Sequence, residues 1–166
     1  MSTEERIKIA KPEGYGCFAC GTANPIGLNL DFYRSGETIC TDITLGKYHV
    51  GWSNISHGGI ISTLLDEVMS WTILYFKRIF FVTRKMEVKY IKPVIVGTPI
   101  RICGRLTGND ESSREIRVKA EIRDIQGNIL ARGTGSFVPV GREKMSFVSD
   151  EARREIFSLI ENLPPL

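Results

Sequence analysis

The sequence predicts an α+β fold in which an antiparallel sheet wraps one long central helix. Two observations carry that reading. Residues 60–77 contain no Pro or Gly and place apolar side chains around nearly the whole helical circumference, as a helix buried on most sides requires. Four later segments alternate apolar and charged residues with a period of two, the pattern of an antiparallel sheet with one face in water.

In chain order, residues 1–15 read as a polar lead-in anchored by Ile7 and Ile9. Cys17-Phe18-Ala19-Cys20-Gly21 and Asn24-Pro25-Ile26-Gly27 form a knot of turn residues. Leu28 to Phe32 alternates and predicts a first strand, and Arg34-Ser35-Gly36-Glu37 predicts a turn. Ile39, Thr41, Ile43 and Leu45 share one face of a second strand, and residues 46–56 read as a loop. The central helix spans 57–77 with its His-Gly-Gly start. Its polar residues form one stripe: Ser62, Asp66 and Ser70 fall four apart, with Thr63 and Glu67 beside them.

The main strands occupy 82–139. In the first of them Val82, Arg84, Met86, Val88 and Tyr90 share one face, and Thr83, Lys85, Glu87, Lys89 and Ile91 the other. Ile100, Ile102, Gly104 and Leu106, then Ile116, Val118, Ala120 and Ile122, mark two more strands. The cluster 108–113 turns the chain, Gln126-Gly127-Asn128 marks a hairpin, and 129–138 is the last strand. Ile156, Phe157 and Ile160 give a C-terminal helix over 149–162 an apolar stripe, ended by Pro164-Pro165. The whole reads as a single domain over 1–166, with 1–27 as its lead-in. Such a sheet has open edges, so edge-to-edge pairing with a second copy predicts a homodimer.

Composition excludes more than it identifies. The chain has 166 residues, 42% hydrophobic and 25% charged, with 22 basic against 19 acidic residues for a net charge of +3. That is ordinary globular composition. The charge is too small to mark a nucleic-acid binder but suits a handler of a polyanionic small molecule. No stretch approaches the roughly 18 apolar residues of a spanning helix, and residues 1–5 lack the features of a secretory signal. A cytoplasmic protein without membrane partners is expected. Cys17, Cys20, Cys40 and Cys103 are too few for a disulfide scaffold. Cys40 and Cys103 read as strand residues in a reducing compartment.

The chemistry centres on Asp66, a carboxylate in the middle of the most apolar helix, because ionised groups are seldom buried without a use. Glu67 points about 100° away, so the two acids are not a shared-proton pair. Solvent exposure, or an ion pair across a subunit interface, is the expected fate of Glu67. At the helix start stands Ser56-His57-Gly58-Gly59. Glycines there allow close approach to the backbone, and the free N–H groups at a helix start favour a polarised oxygen. An acyl carbonyl placed there is activated as in an oxyanion hole. His57 serves either a catalytic role or a structural one that holds the loop.

His57-Gly58-Gly59, followed by an acid nine positions after the His within a buried helix and then by antiparallel strands, resembles the hotdog-fold acyl-CoA thioesterases. The phenylacetate-pathway-like branch is the nearest in pattern. The matching stretches are 57–67 and Val82 to Val94, and the lead-in Cys17 to Gly21 with Asn24 to Leu28 resembles one found in a subset of these proteins. The resemblance spans roughly residues 17 to 140. It implies a hotdog fold and hydrolysis of an acyl-CoA thioester. Asp66 would act as nucleophile or general base, and the N–H of Gly58, with that of Gly59, would polarise the carbonyl. His57 would orient the loop or assist at the thiolate. Thr83 would reach the active site of the neighbouring subunit and help place water, and Asn54 would offer a second carbonyl contact. Ser62, on the Asp66 stripe, and Lys92, in a basic rim for coenzyme A phosphates, join the substrate side. Trp71, Tyr75 and Met69 either line an acyl slot or are simply core. No cofactor is implied, and a dimer of dimers is expected.

Cys17-x-x-Cys20 is half of a zinc site. His49 and His57 lack the spacing to complete it, so a structural turn with free thiols and no metal is expected. Two rival functions remain open. One is a non-catalytic acyl-CoA or lipid-binding hotdog protein, although no helix-turn-helix pattern accompanies it. The other is a hotdog dehydratase or hydratase, whose His and acid arrangement is not found.

Overall fold

The computed structural model describes residues 5–108 and 114–166. The turn expected over 108–113 lies, beyond Gly108, outside the described residues. The elements are β1 (Arg6–Ile9), β2 (Phe32–Ser35), β3 (Thr38–Thr44), β4 (Val50–Trp52), β5 (Ile55–Ser56), α1 (Gly58–Lys77), β6 (Phe81–Tyr90), β7 (Pro99–Leu106), β8 (Ile116–Asp124), β9 (Ile129–Pro139) and α2 (Asp150–Glu161). Seven strands form one antiparallel sheet in the order β1-β2-β3-β7-β8-β9-β6, and β4 and β5 make a separate hairpin.

Helix α1 packs across β3, β7, β8 and β9 of that sheet. Leu64, Leu65, Val68, Met69 and Ile73 are fully buried there against Ile102, Ile122 and Phe137, as an apolar circumference demands. The closest approach falls at Gly104 of β7. A Cβ there would stand 2.6 Å from Thr72 Oγ1 and 3.1 Å from the Val68 carbonyl oxygen, so only glycine lets helix and strand meet. Arg78 ends the helix in the left-handed conformation, its N–H donating to Leu74 O at 3.2 Å. The C-terminal tail returns to that end: Tyr75 Oη donates to Pro165 O at 3.0 Å, and Arg78 donates to Pro164 O. Among the described residues no helix is long and apolar enough to cross a membrane.

The structure corrects the sequence in five places. The lead-in holds an edge strand, β1, whose Ile9 is fully buried. The first strand of the core begins at Phe32 rather than Leu28, because Asn29 adopts φ 47° and breaks the extended run. That strand continues through Ser35, so the turn is confined to Gly36, at φ 56°, and Glu37. Within the loop over 46–56 the chain forms the β4–β5 hairpin. Finally, Cys40 and Cys103 are not free strand thiols. They face each other in the β3–β7 register and are joined by a disulfide, Cα to Cα 4.2 Å.

One irregularity positions the site. The β6–β9 register shifts between Thr83 and Lys85, leaving Arg84 as the extra residue of a bulge. Strict alternation puts Thr83 opposite Met86 and Val88. The bulge reverses the phase, so Thr83 pairs with the core residue Phe137 and turns toward α1, while Met86 pairs with Gly135 on the same face. Strand β6 is also one edge of the sheet.

Candidate active site

Asp66 sits half-buried on α1, and Thr83 Oγ1 donates to its Oδ1 at 3.1 Å. Burial pushes the Asp66 carboxyl above its ordinary range, and the Thr83 hydrogen bond opposes that rise by favouring the ionised form. The sequence-based expectation had Thr83 reaching a neighbouring subunit. Within one chain Thr83 meets Asp66, because the Arg84 bulge turns it inward.

The helix start is built by three side chains. His57 is the N-cap: its Nδ1 accepts from the Gly59 N–H at 2.9 Å, and the His57 carbonyl accepts from Ile60 N at 3.0 Å. The Gly59 N–H is thereby spent and is not free to polarise a carbonyl, which corrects its expected binding role. The Gly58 N–H has no acceptor among the described residues. It remains the open donor at the positive end of a 20-residue helix. Ser62 Oγ donates to Gly58 O at 3.1 Å and lies 2.8 Å from Tyr90 Oη, which itself donates to Gly58 O at 3.0 Å. Ser62 therefore braces the first turn rather than facing a ligand. Tyr90, at the end of β6, joins this cluster at Gly58, and its strand face alone does not single it out in the sequence.

Beside Gly58 opens a cavity of about 310 Å³, lined by Ser56, Ile61, Tyr90 and Lys92 among others. Lys92 is exposed at its rim. Asn54 is not brought to this place: it lies exposed at the tip of the β4–β5 hairpin, where its carbonyl accepts from Val96 N at 2.9 Å. Trp71, Met69 and Tyr75 are buried in the core, with Trp71 stacked on Phe32 at 4.6 Å between ring centroids.

Glu67 departs most from expectation. It is only partly exposed and, among the described residues, pairs with no cation. Its Oε1 accepts from Trp71 Nε1 at 3.0 Å and lies 3.9 Å from Cys17 Sγ. Burial, and then the Cys17 sulfur, push its carboxyl up to about 7. Trp71 is four residues along the same helix, but Cys17 lies 50 residues upstream in the lead-in, beyond the reach of any local pattern.

An antiparallel sheet around one long helix, with a carboxylate in mid-helix and an open glycine N–H at its start, is the hotdog architecture. Residues 54–129 match the model of the Thioesterase superfamily, a span that takes in α1, β6, β7 and β8. The resemblance read from His57-Gly58-Gly59 and Asp66 is thus borne out in family pattern and in fold. Verlamelin biosynthesis protein B of Lecanicillium sp is 27% identical over 141 residues, which is 69% of this chain and 57% of that protein. The chain therefore spans little more than half the length of that curated relative. Among solved structures, the E. coli PaaI protein from the phenylacetic acid degradation operon superposes with a TM-score of 0.62 at 15% identity, over 69% of this chain and 81% of that one. A hypothetical thioesterase protein from Streptococcus pneumoniae TIGR4, solved with Coenzyme A, superposes with a TM-score of 0.61 at 16% identity, over 68% and 90%.

Proposed function

We propose that this chain is an acyl-CoA thioesterase that releases free acid and coenzyme A, with Asp66 as the reacting carboxylate. The observation that carries this reading is the Thr83–Asp66 hydrogen bond of 3.1 Å. It ties a half-buried acid in mid-helix to the edge strand β6. The superfamily match over 54–129 and the coenzyme A bound to the pneumococcal structure of similar fold support the substrate class.

The chemistry has two forms with the same balance. In one, an Asp66 oxygen adds to the thioester carbon, the C–S bond breaks, and water then hydrolyses the mixed anhydride. In the other, Asp66 takes a proton from water as the water oxygen adds to that carbon. In both the carbonyl oxygen gains negative charge, which the Gly58 N–H stabilises, and the coenzyme A thiolate leaves and is reprotonated.

Helix geometry adds a condition. Gly58 and Asp66 are eight residues apart on α1, so about 12 Å separates them along the axis. One thioester carbon does not reach both. A complete site pairs Asp66 of one chain with Gly58 of a second copy, which fits the open β6 edge and a homodimer, with further pairing into a dimer of dimers. Lys92 at the cavity rim offers a positive charge to the coenzyme A phosphates.

A thiol-release assay across straight-chain, branched and aryl acyl-CoA substrates tests the reading. Turnover of at least one class supports it. Tight acyl-CoA binding without turnover of any class overturns it in favour of a non-catalytic acyl-CoA-binding protein.

A further inference from the structure

We propose that Cys17, Cys20 and Glu67 form a binding site for one divalent ion of the zinc class, with three protein ligands and a fourth position left to water or another small ligand. Cys17 and Cys20 lie outside the span matched by the family model, and the thioesterase reading does not use them.

The geometry suits the metal. The two sulfurs and a Glu67 carboxylate oxygen all lie within 4.8 Å of one another. A tetrahedral zinc ion with bonds of about 2.3 Å to sulfur and about 2.0 Å to oxygen sets its ligand atoms roughly 3.5 to 3.8 Å apart. The Cys17 Sγ to Glu67 Oε1 distance is 3.9 Å, so that pair closes onto an ion with a shift of a few tenths of an ångström, and no other pair has to close by more than about 1.3 Å.

The backbone is already shaped as a metal-binding turn. The Gly21 N–H donates to the Cys17 carbonyl at 2.9 Å, and Leu28 N and Leu30 N donate to the Phe18 and Ala19 carbonyls at 2.8 and 3.0 Å. A Cβ on Gly21 would stand 2.3 Å from Tyr15 O and 2.5 Å from Cys17 N, both backbone atoms. Only glycine closes this turn, and the closed turn points both sulfurs the same way. Trp71 Nε1 donates at 3.0 Å to the same Oε1 that faces Cys17, a hydrogen bond that fixes the carboxylate's orientation as outer-shell partners of ligating carboxylates do.

Charge favours the metal over a dithiol redox centre. Glu67 is nearly enclosed and, among the described residues, no Lys, Arg or His pairs with it. A buried carboxylate beside a thiol without a cation is costly. A Cys17–Cys20 disulfide would leave that cost in place, whereas a dication removes it. Bound metal would tie the lead-in to α1 one residue from Asp66.

The test uses the whole chain, reduced and stripped with a chelator, then titrated with cobalt(II) as a spectroscopic probe. The expected result is one equivalent bound per chain, with a sulfur-to-cobalt charge-transfer band in the near ultraviolet that zinc(II) abolishes. The band is lost in Cys20→Ser, with Cys17→Ser as the second variant should the first fail to fold. Glu67→Gln keeps a thiolate band but weakens binding at least about tenfold. The Cys40→Ser/Cys103→Ser double variant binds as wild type. Absence of the band, its survival in the folded Cys17 or Cys20 variants, its loss in the Cys40/Cys103 variant, or unchanged affinity in Glu67→Gln would each overturn the proposal. These readouts are independent of acyl-CoA turnover, so the failure of one proposal is distinguishable from the failure of the other.

Discussion

Thr83 donates its hydroxyl to Asp66 Oδ1 across 3.1 Å, from the edge strand β6 to the central helix. The contact exists because one extra residue, Arg84, shifts the strand's phase. A hydrogen bond to a charged acceptor is worth about 1.5–3 kcal/mol.

Thr83→Val keeps the side-chain shape and removes that donor. If the hydroxyl positions Asp66 for the chemical step, kcat for coenzyme A release falls about tenfold or more with KM little changed. Steady-state kinetics on the best acyl-CoA substrate measures the split. A change confined to KM would assign Thr83 to substrate binding.

Asp42 organises the outer face of the sheet. Arg101 Nε donates to its Oδ1 at 2.7 Å, Tyr33 Oη lies 3.2 Å and Arg6 Nη1 3.3 Å from its Oδ2, so the cluster joins β1, β2, β3 and β7. Partial burial acts to raise the Asp42 carboxyl, but Arg101, with help from Tyr33 and Arg6, outweighs it and holds the group below the ordinary carboxylate range. A depressed folded-state pKa contributes stability above the unfolded value and loses it as the pH falls through the folded one. Denaturant midpoints should therefore show wild type more stable than Asp42→Asn at neutral pH, with the gap closing in acid below about pH 4. A pH-independent gap would mean that the charge contributes nothing.

The Cys40–Cys103 bond closes a sequence separation of 63 residues between paired strands. Constraining a loop of that length in the unfolded chain is worth about 2–4 kcal/mol. The Cys40→Ser/Cys103→Ser double variant should unfold at a correspondingly lower urea concentration. An unchanged midpoint would remove the bond from the stability account.

The extent to which the sequence is legible follows from the range of each interaction. Helix α1 is legible because its apolar circumference is a local pattern, and so are β7, β8 and β9, whose alternation matches their burial. Asp66, Gly58 and His57 follow from the same helix. What escapes is set by distant partners. Glu67 looks like a surface or interface acid until Cys17, 50 residues upstream, closes over it. The disulfide depends on the β3–β7 register, which neither strand specifies alone. Strand β1 has four residues, too few for alternation to declare itself. The Arg84 bulge breaks the period of two on which the facing of Thr83 rests.

The central claim is that Asp66 of one chain and the Gly58 N–H of another act on the same thioester. Asp66→Asn removes the reacting carboxylate. Gly58→Pro removes the N–H at a position where a helix tolerates proline. Alone, each variant should lose roughly two to four orders of magnitude in coenzyme A release while remaining folded. Co-expressed in equal amounts, they form mixed dimers in which one site carries both lesions and the other carries neither. The predicted thiol-release rate of the mixture is about a quarter of wild type. A mixture as inactive as its components would contradict a site shared between two copies, and full activity in Asp66→Asn would contradict the assignment of Asp66 itself.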